Sequence, residues 1–304
     1  MKKVQIQSRP PTKAIYPCDK LSSYPFNWDD PDEYARCLTS GNSFAMDENY
    51  KGELFEVKYW LKLEGYEDKL PPDARHREVL FVCMSLYEQG YREVTFDMIM
   101  RAMTGGSQQV SYNRVELKEI LRKLIFTGIT VDIEPLKKFP KYRERIEAAK
   151  IKNYKVSGAL LPAKIHEASV NGQEAQVIEM LSTSPLRDIA EIKQQLIKIN
   201  TTPLAVPNQH DTIQVASIKN WLLRRIELSA PSRKGHLNPS ILFETIFKEC
   251  GLVGASNSTK RNIRKEIVDA LNHFKKSGVI KDFELVKEGR VYRSISIIHK
   301  SYSN

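Results

Sequence analysis

The chain has 304 residues, 41% apolar and 28% charged, which is ordinary for a globular protein and long enough for two domains. No apolar run approaches the roughly 20 residues of a membrane span, and Met1-Lys2-Lys3 is not followed by the apolar stretch of a signal peptide. Of the net charge of +10, residues 216 to 304 carry +9 (17 Lys and Arg against 8 Asp and Glu) and the first 215 residues only +1, so the C-terminal third points to a polyanion partner.

Residues 1 to 50 lack periodicity. Pro10, Pro11, Pro17, Pro25 and Pro31 interrupt them, and Asp29, Asp30, Asp32 and Glu33 make a local acidic turn, so they read as an arm that is partly ordered at best. Leu54 to Leu63 alternates, with Phe55, Val57, Tyr59, Leu61 and Leu63 on one face, and predicts a half-buried strand. After Pro71 and Pro72 a helix is expected from Asp73 to Gln89, with Val79, Val82, Cys83 and Leu86 as its core stripe and Gly90 as its end. Thr95 caps a short second helix with Phe96, Ile99, Met100 and Met103 inward, and Gly105-Gly106 turns the chain. A third helix is expected from Ser111 to Phe126, burying Leu117, Ile120, Leu121 and Leu124 and showing Arg114, Lys118 and Arg122. It ends at Gly128, before a strand from Ile129 to Ile133.

Residues 134 to 154 are charged and polar, with room for a short helix. Val156 to Val170 and Gln173 to Leu181 then read as strands paired across Asn171-Gly172, a strong hairpin signal. Between 185 and 215, Ile189, Ile192, Leu196 and Ile197 predict a short helix, followed by an extended crossing through Pro203, Pro207, Asn208, Gln209, His210 and Asp211.

The last stretch repeats the order. Ile218 to Leu228 is the first helix. Asn238 and Pro239 are placed to cap and open the second, which would bury Leu242, Phe243, Ile246 and Phe247 and stop at Gly251. The third runs from Ser258 to Ser277, before Gly278, with Ile263, Ile267, Ala270, Leu271 and Phe274 at helical spacing. The opposite face shows Arg261, Lys265, Asn272 and Lys276, flanked by Arg264 and Lys275. Val279 to Val286 and Val291 to Ile298 form a hairpin around Lys287, Glu288, Gly289 and Arg290. Three helices and a hairpin, twice over, predict an α+β chain of two winged-helix modules in tandem. The divisions are an arm at 1–50, a first module with an extended wing at 51–184, a connector at 185–215, and a DNA-binding module at 216–304.

This arrangement resembles plasmid replication initiator (Rep) proteins of the tandem winged-helix type, as in Gram-positive plasmids and mobile elements. The residues that carry the resemblance are His76-Arg-Glu-Val-Leu-Phe followed by Val94-Thr-Phe, and Ser217-Ile-Lys-Asn-Trp-Leu-Leu-Arg-Arg-Ile226 followed by Ile241-Leu-Phe-Glu-Thr-Ile-Phe247. It covers roughly residues 54 to 298 and rests on core and helix-turn-helix patterns. The resemblance implies binding to repeated sites in double-stranded origin DNA, opening of the origin, recruitment of host helicase machinery (the helicase or its loader), and a homodimer that represses.

Catalytic signatures are missing from the sequence. The six histidines, His76, His166, His210, His236, His273 and His299, include no His-hydrophobe-His pair of the kind that holds the metal of a nicking relaxase. Gly251 to Lys260 lacks the phosphate-loop spacing. Cys18, Cys37, Cys83 and Cys250 show no CxxC spacing, which argues against structural zinc and fits reduced thiols in the cytoplasm. No cofactor, metal or membrane role is expected. A transcriptional regulator with the same modules is the nearest alternative; a relaxase or nuclease, and an adaptor that uses winged helices for protein contacts, stand further off.

A binding mechanism follows. Lys260, Arg261 and the helix N-terminus would hold phosphates; Arg264, Lys265 and Asn262 would reach base edges; Lys276 extends the cationic face; Lys287 and Arg290 would reach the neighbouring backbone or minor groove. In the first module Arg114, Lys118 and Arg122 would read a second stretch, with Gln108 and Asn113 near the start of the same helix.

Overall fold

The structure, a computed structural model, describes residues 12–28, 31–50, 53–65, 71–106, 112–170, 173–206, 211–233, 237–289 and 291–300. The fold is mixed α+β. It divides into two compact units, each discontinuous in sequence. One gathers the described residues up to Ala14, Thr95–Arg114 and those from Lys198 onward; the other gathers Ile15–Val94 and Val115–Ile197.

The segment expected to be an arm is built of regular elements from Lys13 on. β1 (Lys13–Pro17) leads to α1 (Lys20–Ser23), capped by the Asp19 carboxylate, then to α2 (Pro31–Thr39) and β2 (Asn42–Tyr50). An aromatic cluster orders it: Tyr24 stacks on Phe44 with ring centroids 3.7 Å apart, Trp28 lies edge-on to Tyr24, and Tyr34 lies beside Trp28. These rings come singly from short elements, so no periodic pattern announces them. β3 (Glu53–Glu64) has the expected alternation, with Val57, Tyr59, Leu61 and Leu63 buried.

α3 (Ala74–Glu88) starts at a capping box in which Asp73 accepts from the backbone of Arg75 and His76. β4 (Glu93–Thr95) and α4 (Phe96–Met103) follow, the latter capped by the Thr95 hydroxyl as expected. α4 belongs by its contacts to the unit of the C-terminal residues: Asn220 Nδ2 donates to the Met103 carbonyl at 2.6 Å. α5 (Arg114–Phe126) buries Leu117, Ile120, Leu121 and Leu124, and β5 (Gly128–Asp132) follows it directly. After α6 (Pro140–Ala148) come β6 (Lys155–Ala159), β7 (Ala163–Val170) and β8 (Gln173–Met180). The single strand expected over 156–170 is therefore two. Pro162 offers no backbone donor, and the Leu160 and Leu161 amides turn to Thr127 and Leu124 carbonyls, which breaks the ladder. β6 joins the antiparallel sheet β2-β3-β5-β6, while β7 joins β4-β8-β7.

α7 (Pro185–Ile192) ends before Leu196 and Ile197, which the helical reading had included. They lie in β9 (Leu196–Asn200), after Gln194 takes a positive φ of 56°. α8 (Ile213–Leu228) starts five residues earlier than expected, at the Thr212 cap. Asn238 caps no helix: its side chain accepts from the Ser240 amide at 2.8 Å, and β10 (Ser240–Leu242) follows. α9 (Phe243–Glu249) begins only then, and Leu242 is 41% exposed rather than buried. Gly251 and Gly289 have positive φ, as expected. α10 (Asn257–Lys276), β11 (Asp282–Glu288) and β12 (Val291–Ile298) complete the chain, with sheet order β10-β12-β11.

The two three-stranded sheets share one plan. In each, a short strand before the second helix pairs with the last strand of a later hairpin: β4 with β8, β10 with β12. Asn171-Gly172, and also Asp29, Asp30, Gln108, Ser111, Pro207–His210, His236 and Arg290, lie outside the described residues.

Candidate nucleic-acid interface

α10 is the element around which the candidate site is built. Ser256 caps it by accepting from the Thr259 amide at 3.2 Å, and Ile263, Ile267, Ala270, Leu271 and Phe274 bury its inner stripe. Helical periodicity then puts Arg261, Asn262, Lys265, Asn272 and Lys276 on the outside, and all five are exposed. Among the described residues no ion pair involves Arg261, Lys265 or Lys276.

The flanking cations are engaged within the protein. Lys260 Nζ donates to the Val253 carbonyl at 2.6 Å, closing the turn before the helix. The Arg264 guanidinium lies over Phe243 and Phe247, 5.6 and 5.1 Å from the ring centroids, and its Nε is enclosed with no hydrogen-bond partner. Lys275 pairs with Asp282 at 2.7 Å. On the hairpin, Lys287 Nζ sits 5.0 Å from the Tyr292 ring centroid, and Arg293 pairs with Glu288. His273 is half-buried. Burial, then the charges of Lys219 and Lys276, lower its pKa, so it is neutral at pH 7 and adds no charge to the face.

A groove of about 350 Å³ runs between α9, α10 and the hairpin, with Phe243, Phe247 and Arg264 on one side and Glu288, Tyr292 and Arg293 on the other. Of its residues the sequence singled out Arg264, as a base-edge reader, but not the groove. The pair Phe243/Phe247 reads as a helical core step, and nothing local says that the hairpin will fold back across it.

On α5 the picture reverses. Arg114 lies 3.5 Å from Asp97, Lys118 lies 2.7 Å from Glu167 on β7, and Arg122 lies 3.7 Å from Glu119. The Lys118 ammonium holds the Glu167 carboxyl below the usual carboxylate range, with a smaller pull from Arg122. Each predicted cation of the first module thus has a carboxylate beside it. Asn113 is exposed at the start of the same helix.

Among the described residues no group of three or more His, Cys, Asp or Glu side chains is placed to hold a metal ion, and no helix is long and apolar enough to cross a membrane. No family model matches the sequence, and no curated protein matches it. Among solved structures the chain is similar to the crystal structure of domains 2 and 3 of RctB, at 8% identity and a TM-score of 0.38, over 89% of this chain and 99% of that chain. At those values the likeness carries no functional weight.

Proposed function

We propose that the protein binds double-stranded DNA in a sequence-specific way and initiates replication of a plasmid or mobile element by occupying repeats at its origin. The observation that carries the reading is the outer face of α10, where Arg261, Lys265 and Lys276 are exposed and, among the described residues, in no ion pair, in a segment of net charge +9. A helix of this kind fits a major groove, and an Arg or Lys facing guanine discriminates by about 1–3 kcal/mol. In this reading residues 51–184 and 216–304 are tandem winged helices. The shared strand order of the two three-stranded sheets supports that. Arg261 and Lys265 hold phosphates from that face, Lys265 also reaching base edges, and Lys287 at the hairpin tip supports them from the side. The protein has no catalytic step of its own. The helicase, its loader and the homodimer are partners that the Rep resemblance adds, and the cytoplasm is where they would meet.

The test is a titration of the purified chain against DNA flanking its own gene, with unrelated DNA as competitor, at two salt concentrations. Footprints on direct repeats beside an AT-rich stretch are expected. Protection of its promoter alone would make it a regulator, and salt-sensitive binding without sequence preference would sink the initiator reading.

A further inference from the structure

The groove beside α10 has a composition that duplex binding does not explain. Arg264 and Arg293 line it together with Glu244 and Glu288, so its charged groups balance. That balance selects neither a phosphate nor an acidic peptide. The Arg264 guanidinium lies over Phe243 and Phe247, and its enclosed Nε–H lacks an acceptor. An enclosed donor left without a partner is costly, so its presence here favours an occupant that brings an acceptor. Tyr292 is 38% exposed and lines the groove, where its ring offers a flat surface. The volume of about 350 Å³ is at the lower end of the range of small-molecule sites, about 300–1,000 Å³.

We propose that this groove binds a nucleobase, and that guanine suits it best. Guanine is neutral and flat, and it carries acceptors on one edge and donors on another. O6 and N7 accept from Arg264, and the N2 amine donates to Glu244 or Glu288. Stacking on an aromatic ring, here Tyr292, with hydrogen bonds at the base edges is a usual way proteins hold an unpaired base. The base belongs either to a free nucleoside or nucleotide, or to an unpaired position in a strand; the chemistry of the groove is the same for both. The inference does not depend on the duplex reading of α10.

The experiment uses the full chain and titrates guanosine, adenosine and cytidine, each by saturation-transfer NMR, and a fluorescein-labelled single strand containing one guanine in a thymine run. Guanosine is expected to bind saturably and more tightly than adenosine or cytidine. Tyr292→Ala is expected to weaken it by roughly 5-fold or more, the loss of one stacking surface, and Arg264→Leu by roughly 10-fold or more, the loss of a charged donor. Tyr292 is largely outside the core, so its variant tests the site even if Arg264→Leu fails to fold. A single strand that binds far more tightly than guanosine assigns the base to a strand, and equal affinity assigns it to a free effector; either supports the groove. No saturable binding of any probe, equal binding of all three nucleosides, or wild-type affinity in Tyr292→Ala overturns it. Arg261→Ala/Lys265→Ala separates the two readings: loss of guanosine binding in that variant would also overturn the groove, whereas loss of duplex binding alone bears only on α10.

Discussion

Lys118 on α5 and Glu167 on β7 lie 2.7 Å apart, so the β7–β8 hairpin supplies a carboxylate to the helix that was expected to read DNA. The topologically matching hairpin, β11–β12, supplies Asp282 to Lys275 of α10, and its Arg293 pairs with Glu288 across the hairpin. Both hairpins thus return a carboxylate to their third helix, but Asp282 meets Lys275, and among the described residues Arg261, Lys265 and Lys276 have no ion pair. An exposed pair such as Lys118–Glu167 contributes little to stability, but it reduces the positive potential that a phosphate would meet.

The first prediction follows from that contrast. Arg261→Ala and Lys265→Ala should each lower the slope of log affinity against log salt by about 0.9, the value for one lost phosphate contact. Lys118→Ala should leave the slope unchanged within error. A fall of the same size in Lys118→Ala would put both helices on the DNA.

A second prediction concerns Lys193, whose ammonium is buried between Glu48 at 2.7 Å and Asp19 at 3.3 Å, while Tyr59 donates to the same Glu48 at 2.8 Å. Removing one partner of a buried ion pair typically costs about 3–5 kcal/mol. Lys193→Met should therefore shift the urea midpoint strongly, and a loss under 1 kcal/mol would show that water reaches the cluster. Burial lowers the Lys193 pKa, but the two carboxylates outweigh it and the net shift is upward. A raised folded-state pKa stabilises below the unfolded value near 10.4 and ceases to do so as pH rises through the folded value. The wild-type contribution should accordingly hold from pH 6 to 9 and fade only at strongly alkaline pH.

Thiol reactivity provides a third check. Cys37 and Cys83 have no exposed surface, and burial pushes each thiol up to about 12, with Glu33 adding to the shift at Cys37. At pH 8 only about one part in ten thousand of either is thiolate, the reactive form. Cys250 is also buried, whereas Cys18 is half-exposed. An aromatic disulfide reagent should modify one thiol promptly, and Cys18→Ser should abolish that phase. Prompt reaction of Cys37 or Cys83 in native protein would contradict their placement.

Backbone geometry yields a fourth. Gly105 has φ +65°, and a Cβ there would lie 2.4 Å from the Thr201 carbonyl oxygen and 2.7 Å from the Ala205 amide nitrogen. Gly90 has φ +90° but open space around it. Gly90→Ala should cost about 1–2 kcal/mol, the conformational term alone. Gly105→Ala should cost clearly more, because backbone must move as well. Equal losses in denaturant melts would mean that the 201–205 turn yields freely.

Much of this layout is legible in the sequence where a single element carries its own signal. α10 has its stripe and its terminal glycine within reach of one another, and the exposed positions Arg261, Lys265 and Lys276 follow from helical period alone, although its start, read at Ser258, lies at Asn257 behind the Ser256 cap. What escapes is set by distant partners. Residues 12–50 are ordered by rings from separate short elements. β10 is a strand only because residues 294–296 pair with it. Lys260 and Arg264, equal to Arg261 by composition, are drawn in by the Val253 carbonyl and by the phenylalanines of α9. No local pattern reveals that β7 will return a glutamate to Lys118.

The pairing of β10 with β12 also has a consequence in time. Ile241 lies opposite Ile295, more than fifty positions along the chain, whereas β11 and β12 close on themselves through a tight turn. The hairpin can form early and locally, whereas the Ser240 amide is held by nearby Asn238 and the Ile241 amide faces β12 only once α9, α10 and both hairpin strands are in place. Exchange of the Ile241 amide should therefore report the last step of folding in that unit, and it should be the first of its strand amides to exchange when the hairpin loosens.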